Sequence, residues 1–476
     1  MNGARWSRQL AILLTALRTS TGSALMGHSF AQGALPGRMI WRSATSAAST
    51  SPASPAHPDK MNVLHLGFED PRMPGAGGGS VRTYEINRRL AASGVQITVF
   101  TTRYPGWEER TQDGVRYVPI GFGQGRNRVT RLLGYVLCLP PAVRRSPLVQ
   151  LVVEDFFAPF STMGAPLWSK RPTIGVVQWL HAREKAREYK VPFHLVETAG
   201  VRRHHQLIAV SRGTADRLAD INPDARIAVI GNGVDPAAFS TPPQLGRDIV
   251  FIGRLELFGK GIDLLLAGWS QACHHVDGEL VIAGRGPDEA KIRKLIEDLN
   301  LSDRVRLVGW VSGPAKFELL SSARLAVVPS RRETFGLVAL EALAASTPVV
   351  AFDIPCLREV VPSGCGWRVA PFESSGLADE LIRRYADSDS LMTAGRNGRT
   401  FAAKFDWDRL AEQQLSLYRS ALDPFSSAGS GRDRGTTVPG KWSGWKSARH
   451  GGANWHGQWG TVERAYAAIA QRARSN

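Results

Sequence analysis

The stretch PSRRETFGLVALEALAASTPVVAFDIPCLREVV, from Pro329 to Val361, leaves the chain few folds to choose from. Arg324 to Pro329 reads as the end of a buried strand, and Gly336 closes a loop. Leu337 to Ser346 then follow helical spacing, and Pro348 to Ala351 form a second apolar strand. Two carboxylates stand eight residues apart in it. Glu333 lies in the loop, where the coming helix presents unpaired backbone N–H groups, and Glu341 lies about a turn inside a helix that is otherwise almost wholly apolar. A plain reading makes Glu341 a helix-surface acid and Glu333 a first-turn residue favoured by the helix dipole. Their place near the carboxyl ends of strands, where open α/β sheets bind ligands, favours a functional one.

The same alternation organises most of the chain. NVLHLG, VQITVFTT, RYVPI, VQLVVED, TIGVVQ, LIAVS and RIAVI are strand-like runs with helical segments between them, so residues 61–235 read as a doubly wound α/β domain. Residues 236–247 are proline-rich and read as a hinge. DIVFI, ELVIAG and RVRLVGWV open a second α/β domain over 248–422, which closes on the amphipathic helix of FDWDRLAEQQLSLYRSAL. At 476 residues the chain is too long for one core, which agrees with two domains. Residues 1–60 are rich in Ala, Ser, Thr and Pro, and residues 423–476 in Gly, Ser, Arg and Trp. Both compositions read as disordered tails, the first open also to a leader segment.

Two loops have the composition of anion sites. GRLELFGKGIDLLL places Arg254 and Lys260 on a glycine-punctuated loop that leads into a helix. Two cations with free amides at a helix start suit a diphosphate, which they bind and neutralise as it leaves. PRMPGAGGGSVRTYE, with Gly77, Gly78 and Gly79, is a glycine-rich loop that opens a helix but lacks the GxGxxG pattern. His181 closes the strand of TIGVVQWLH, and a lone histidine there reads equally as structural.

The spacing E-x7-E, followed by TPVVAFD and REVV and preceded by the G-R and K-G of the cationic loop and by NGVD at 232–235, resembles the retaining family-4 glycosyltransferases, which have the two-domain GT-B fold. The resemblance implies two Rossmann-like domains facing a cleft. It implies that Glu333, with Thr334, Phe335, Gly336 and Leu337, faces the donor sugar, that Glu341 takes the ribose hydroxyls, and that Arg254 and Lys260 grip the diphosphate. By the same match Gly78 and Gly79 lie beside the donor phosphates, Gly284, Gly286 and Pro287 border the nucleotide, and Gly309 to Val311 read the base through the backbone. Trp310 is open to stacking on the base or to burial in the core. His181 corresponds to a histidine near the donor sugar, although Ala182 stands where the family commonly has an acid.

The implied reaction transfers a hexosyl group from a nucleotide-diphosphate sugar to the hydroxyl of an unknown acceptor, with retention and without a metal or cofactor. Two rivals are a sugar-nucleotide epimerase of the same fold and a catalytically silent GT-B binding protein.

Charge narrows the partners. The chain carries a formal net charge of +17. Residues 1–60 hold six basic and one acidic side chain and residues 423–476 hold eight and three, so the tails account for more than half of the excess. No nucleic-acid-binding motif is present, and an anionic small substrate explains the remainder. The tail tryptophans among Lys and Arg suit a membrane surface or a partner. No apolar run approaches the roughly 20 residues that span a bilayer. Cys138, Cys273, Cys356 and Cys365 have no metal-ligand spacing, so reduced thiols in a cytoplasmic protein, peripheral to the inner membrane face, are the expectation.

Overall fold

The structure, a computed structural model, describes residues 61–423 apart from 74–75, 124, 159–160, 181, 184–185 and 187–191. His181 and both tails lie outside the described residues. The described chain divides into two compact units, residues up to 210 with 214–229, and 211–213 with residue 230 onward.

In the first unit the apolar runs become β1 (Asn62–Leu66), β2 (Gln96–Thr102), β4 (Val115–Ile120), β5 (Leu151–Asp155), β6 (Thr173–Val177), β7 (Gln206–Ala209) and β8 (Arg226–Val229), joined by β3 (Arg110–Gln112). The sheet order is β3-β4-β2-β1-β5-β6-β7-β8, parallel except for β3 against β4. From β1 the chain runs outward through β2 and β4, then returns to β5 on the other side of β1. The topological switch therefore lies between β1 and β5. Leu64, Leu66 and Val152 pack with Tyr135 and Leu139 of the helix Arg128–Arg144 in the core. Strand β3 was not anticipated from the sequence. Its signal is Asp113-Gly114, whose φ of 49° and 75° make the hairpin turn between β3 and β4.

The second unit is built on β9 (Ile249–Ile252), β10 (Leu280–Ala283), β11 (Val305–Gly309), β12 (Leu325–Val328), β13 (Val349–Phe352) and β14 (Gly366–Val369), in the order β11-β10-β9-β12-β13-β14. Every residue of β10, β12 and β13 is buried, as parallel strands covered on both faces require. Here the switch lies between β9 and β12. Strand β14 is a second element the sequence reading passed over, because GWRV is short and half its residues are only partly buried. The helix after Gly336 spans Leu337–Ala344. Residues 236–247, expected as a hinge, hold the short helix Ala237–Ser240 and pack on the second unit, where Gln244 N–H donates to Ser321 O at 2.9 Å. Among the described residues no helix is long and apolar enough to cross a membrane.

Candidate active site

Neighbouring strands β9 and β12 deliver the two loops of interest to one place. They pair in parallel with Leu325 opposite Ile249 and Ala326 opposite Val250. The loop after β9 ends at Gly261 (φ 68°) and starts the helix Ile262–Ala272, while the loop after β12 ends at Gly336 (φ 96°) and starts the helix Leu337–Ala344. Both turns need the left-handed conformation that glycine adopts without cost to a Cβ. Gly261 has a second reason, since a Cβ there would overlap Pro329 O of the other loop. The loops thus touch backbone to backbone.

At that contact Lys260 Nζ pairs with Glu333 Oε1, joining residues 73 positions apart. Their side chains are 27% and 16% exposed. Ser330 Oγ donates to the same oxygen at 3.0 Å, so Glu333 is held from two sides. Arg254 is exposed, and among the described residues it makes no ion pair. The helix Leu337–Ala344 has no side-chain cap and no acid in its first turn, and the first N–H groups of any helix have no partner within it.

Glu341 lies on that helix with 13% of its side chain exposed, and Lys316 Nζ of the helix Gly313–Ser321 donates to its Oε1 at 2.6 Å. Burial pushes the Glu341 carboxyl above its ordinary range, Lys316 opposes the shift, and Asp235 adds to it. A carboxylate that is largely buried, beside one cation and with spare acceptor capacity is suited to hydroxyl donors.

The glycines of the β10 loop have a structural role that the sequence did not reveal. A Cβ on Gly284 would overlap Gly253 O and one on Gly286 would overlap Leu255 O, so both glycines let this loop lie against the Arg254 loop. Gly284 N–H also donates to Gly309 O at 2.7 Å. Trp310 is 55% exposed, which overturns the core reading of that residue. It follows a strand at the sheet edge, where one side has no neighbour to bury it. Val311 is half-buried. Phe335 is buried and meets Phe405 edge-on at 6.1 Å, so its ring faces the unit's interior, while Thr334 and Leu337 stay half-buried.

In the first unit Gly78 and Gly79, expected in a loop, form the start of the helix Gly78–Ala92, and Gly77 is its cap. That helix also has no side-chain cap and no acid in its first turn, although Gly77 N–H donates to Glu69 Oε2 at 3.0 Å. Beneath it, at the switch point, Asp155 accepts from Thr83 Oγ1 at 2.5 Å and meets His65 Nε2 at 3.1 Å. Burial pushes the Asp155 carboxyl up, but His65, Thr83 and Arg82 together hold it below the ordinary range. Phe68 stacks on Phe157 at 4.1 Å, one following β1 and the other β5. The sequence reading named none of these groups as a site residue.

Sequence reasoning singled out Glu333, Glu341, Lys260 and Arg254, and the fold brings Lys260 to Glu333. It missed Lys316, Ser330 and the pair Arg331–Asp263, which bonds at 2.6 and 2.8 Å. Nothing in local spacing marks Lys316, because its partner lies 25 residues away on another helix. Among the described residues no group of three or more His, Cys, Asp or Glu side chains could hold a metal ion.

The chain has recognisable relatives. Residues 76–238 match the family described as Glycosyltransferase Family 4, and residues 237–401 match Glycosyl transferases group 1. The chain is 29% identical over 404 residues to a D-inositol 3-phosphate glycosyltransferase 1 of Catenulispora acidiphila, covering 76% of this chain and 95% of the relative. It is 28% identical over 400 residues to a glycogen synthase of Mycobacterium tuberculosis, again covering 76% and 95%. A sucrose-phosphate synthase of Thermosynechococcus elongatus has a similar fold, with a TM-score of 0.66 at 23% identity over 78% of this chain and 100% of that one. With two consecutive family matches, relatives covered almost end to end and two doubly wound sheets, this chain belongs to the family-4 glycosyltransferases of GT-B fold.

Proposed function

We propose that the chain transfers a hexosyl group from a nucleoside-diphosphate sugar to an acceptor hydroxyl, with retention of anomeric configuration and without a divalent metal. The observation that supports this most is the Lys260–Glu333 contact at the switch point of the second sheet, a cation and a carboxylate side by side where such sheets bind ligands. The relatives' activities support sugar transfer.

In this reading Lys260 and Arg254 hold the diphosphate. As the bond from the anomeric carbon to the diphosphate oxygen breaks, negative charge grows on that oxygen, and a fixed ammonium stabilises it more than it stabilises the ground state. Glu333 accepts hydrogen bonds from sugar hydroxyls and orients the ring, and Glu341 does the same for the ribose. The acceptor oxygen bonds to the anomeric carbon on the face the diphosphate leaves, and its proton passes to the departing oxygen. Covalent catalysis by Glu333 is not preferred, because Glu341 is assigned to the ribose and retaining hydrolases need a second carboxyl group about 5–5.5 Å away. Two cations perform the neutralisation that a metal performs elsewhere.

A thermal-shift panel of nucleoside diphosphates and their sugars tests the donor. A ligand at about 100 times its Kd adds about 2.7 kcal/mol to stability, and no shift with any of them contradicts the reading. Proton NMR of the fresh product from an α-linked donor tests the stereochemistry, with an α-linked product expected. A β-linked product overturns retention, and activity abolished by a chelator overturns metal independence.

A further inference from the structure

We propose that Arg331 and Asp263 form a positioning clamp that sets Lys260 against Glu333, an inference that rests on the donor-site reading above. Lys260 and Glu333 belong to different loops, and their contact, with side chains 27% and 16% exposed, is partly open to water. A single lysine–carboxylate contact, a point charge on a flexible stem, cannot by itself hold two loops in one geometry. Something else must.

Arg331 supplies it. Its Nη1 and Nη2 donate to Asp263 Oδ1 and Oδ2 at 2.6 and 2.8 Å, a two-bond fork with side chains only 8% and 13% exposed. Nη1 also donates to Phe258 O at 2.9 Å, the guanidinium lies over the Phe258 ring at 4.3 Å, and Arg331 N–H donates to Gly259 O at 3.2 Å. Arg331 therefore grips the first loop before Lys260, at Phe258 and Gly259, and after it, at Asp263. Glu333 sits two residues beyond the grip. Asp263 lies in the first turn of the helix Ile262–Ala272, where the helix dipole favours its charge.

The clamp uses what is particular to arginine. A planar fork fixes direction as well as distance, which a lysine point charge does not. Loss of the fork lets the loops slide, and a displacement of about 1 Å at a reacting centre costs about a hundredfold in rate. Arg331 acts through Lys260 and Glu333, so it is a positioning residue.

The test uses the full chain in four variants, Arg331→Gln, Asp263→Asn, the double variant and Arg331→Lys, with Lys260→Ala as control. Hydrolytic release of nucleoside diphosphate from UDP-, GDP- and ADP-hexoses, with water taking the hexosyl group in place of the acceptor hydroxyl, reads turnover, and thermal denaturation reads stability. Each neutral single variant strands a mostly buried charge and loses stability, while the double variant removes both charges and regains it. The clamp predicts that the double variant, though as stable as the wild type, turns over about 30- to 100-fold more slowly with KM changed much less. Arg331→Lys, which keeps a cation beside Asp263, is expected to be comparably slow and serves if the double variant does not fold. A stable double variant, or Arg331→Lys, at the wild-type rate overturns the clamp. If Lys260→Ala turns over normally, or the wild type releases nucleotide from no donor, the donor-site reading fails and takes the clamp with it.

Discussion

Removing the charge of Glu341 should separate donor binding from folding. The carboxylate is largely buried, accepts from Lys316 at 2.6 Å and has its pKa raised first by burial. If it holds the two ribose hydroxyls, those charge-assisted bonds are worth about 1.5–3 kcal/mol together, so Glu341→Ala weakens nucleotide binding about ten- to a hundredfold. Alanine also strands Lys316, whereas Glu341→Gln keeps an acceptor for it and tests binding with less disturbance to the fold. The raised pKa adds a pH signature. Only the ionised carboxylate binds well, so wild-type affinity falls on acidification from a pH above 4.5, the ordinary value, by up to about tenfold per unit. Stability moves the other way. Over the same window the native state binds more protons than the unfolded chain, so the contribution of Glu341 to stability falls as pH rises. Isothermal titration of the best-binding nucleotide, repeated from neutrality down to pH 4.5, measures the effect in wild type and in Glu341→Gln, whose profile is expected to be flat. A flat wild-type profile, or an alanine variant that binds as tightly as wild type, refutes the assignment.

Three further outcomes are expected. Glu154 is fully buried, accepts from Thr162 Oγ1 at 2.6 Å and Ala165 N–H at 2.8 Å, and meets His204 at 3.3 Å. Although burial pushes its pKa up, His204 and these donors hold it below the ordinary range, so its stabilisation is present at neutral pH and is lost as pH falls through that lowered value. Glu154→Gln is therefore expected to lose about 3 kcal/mol in urea unfolding at neutral pH, with the gap closing only below the ordinary carboxylate range. Gly261→Ala combines a positive φ with overlap on Pro329 O and should cost about 1–3 kcal/mol, read as a lower Tm; an unchanged Tm would contradict it. Trp310→Ala, at a residue 55% exposed, should leave stability within about 0.5 kcal/mol, while a base stacked there would lose about tenfold in affinity, measured by the same titration.

What could be read from the chain follows from the range of the forces involved. Strands such as LAVV and VVAF announce themselves because a parallel sheet buries both faces, and that demand is local. Gly336 and the eight-residue step from Glu333 to Glu341 were legible for the same reason, being set by one loop and one short helix. Strands β3 and β14 were missed because a three- or four-residue run has too little periodicity to stand out, although Asp113-Gly114 marked the first.

The sequence by itself determined two doubly wound α/β domains and set Arg254, Lys260 and Glu333 on loops at strand ends. It did not determine which of those residues meet. Lys260 reaches Glu333 across 73 positions only because β9 and β12 are neighbours in the sheet order, and that order is a property of the whole sheet. Lys316 finds Glu341 through the packing of two helices, and Arg331 finds Asp263 across 68 positions through the contact of two loops. Gly284 and Gly286, expected to border the nucleotide, also leave room for the backbone of the neighbouring loop, a demand that no local pattern carries. Local propensity acts over a few residues, while the partner of a buried charge is chosen by which elements come to lie side by side, and that choice belongs to the tertiary structure.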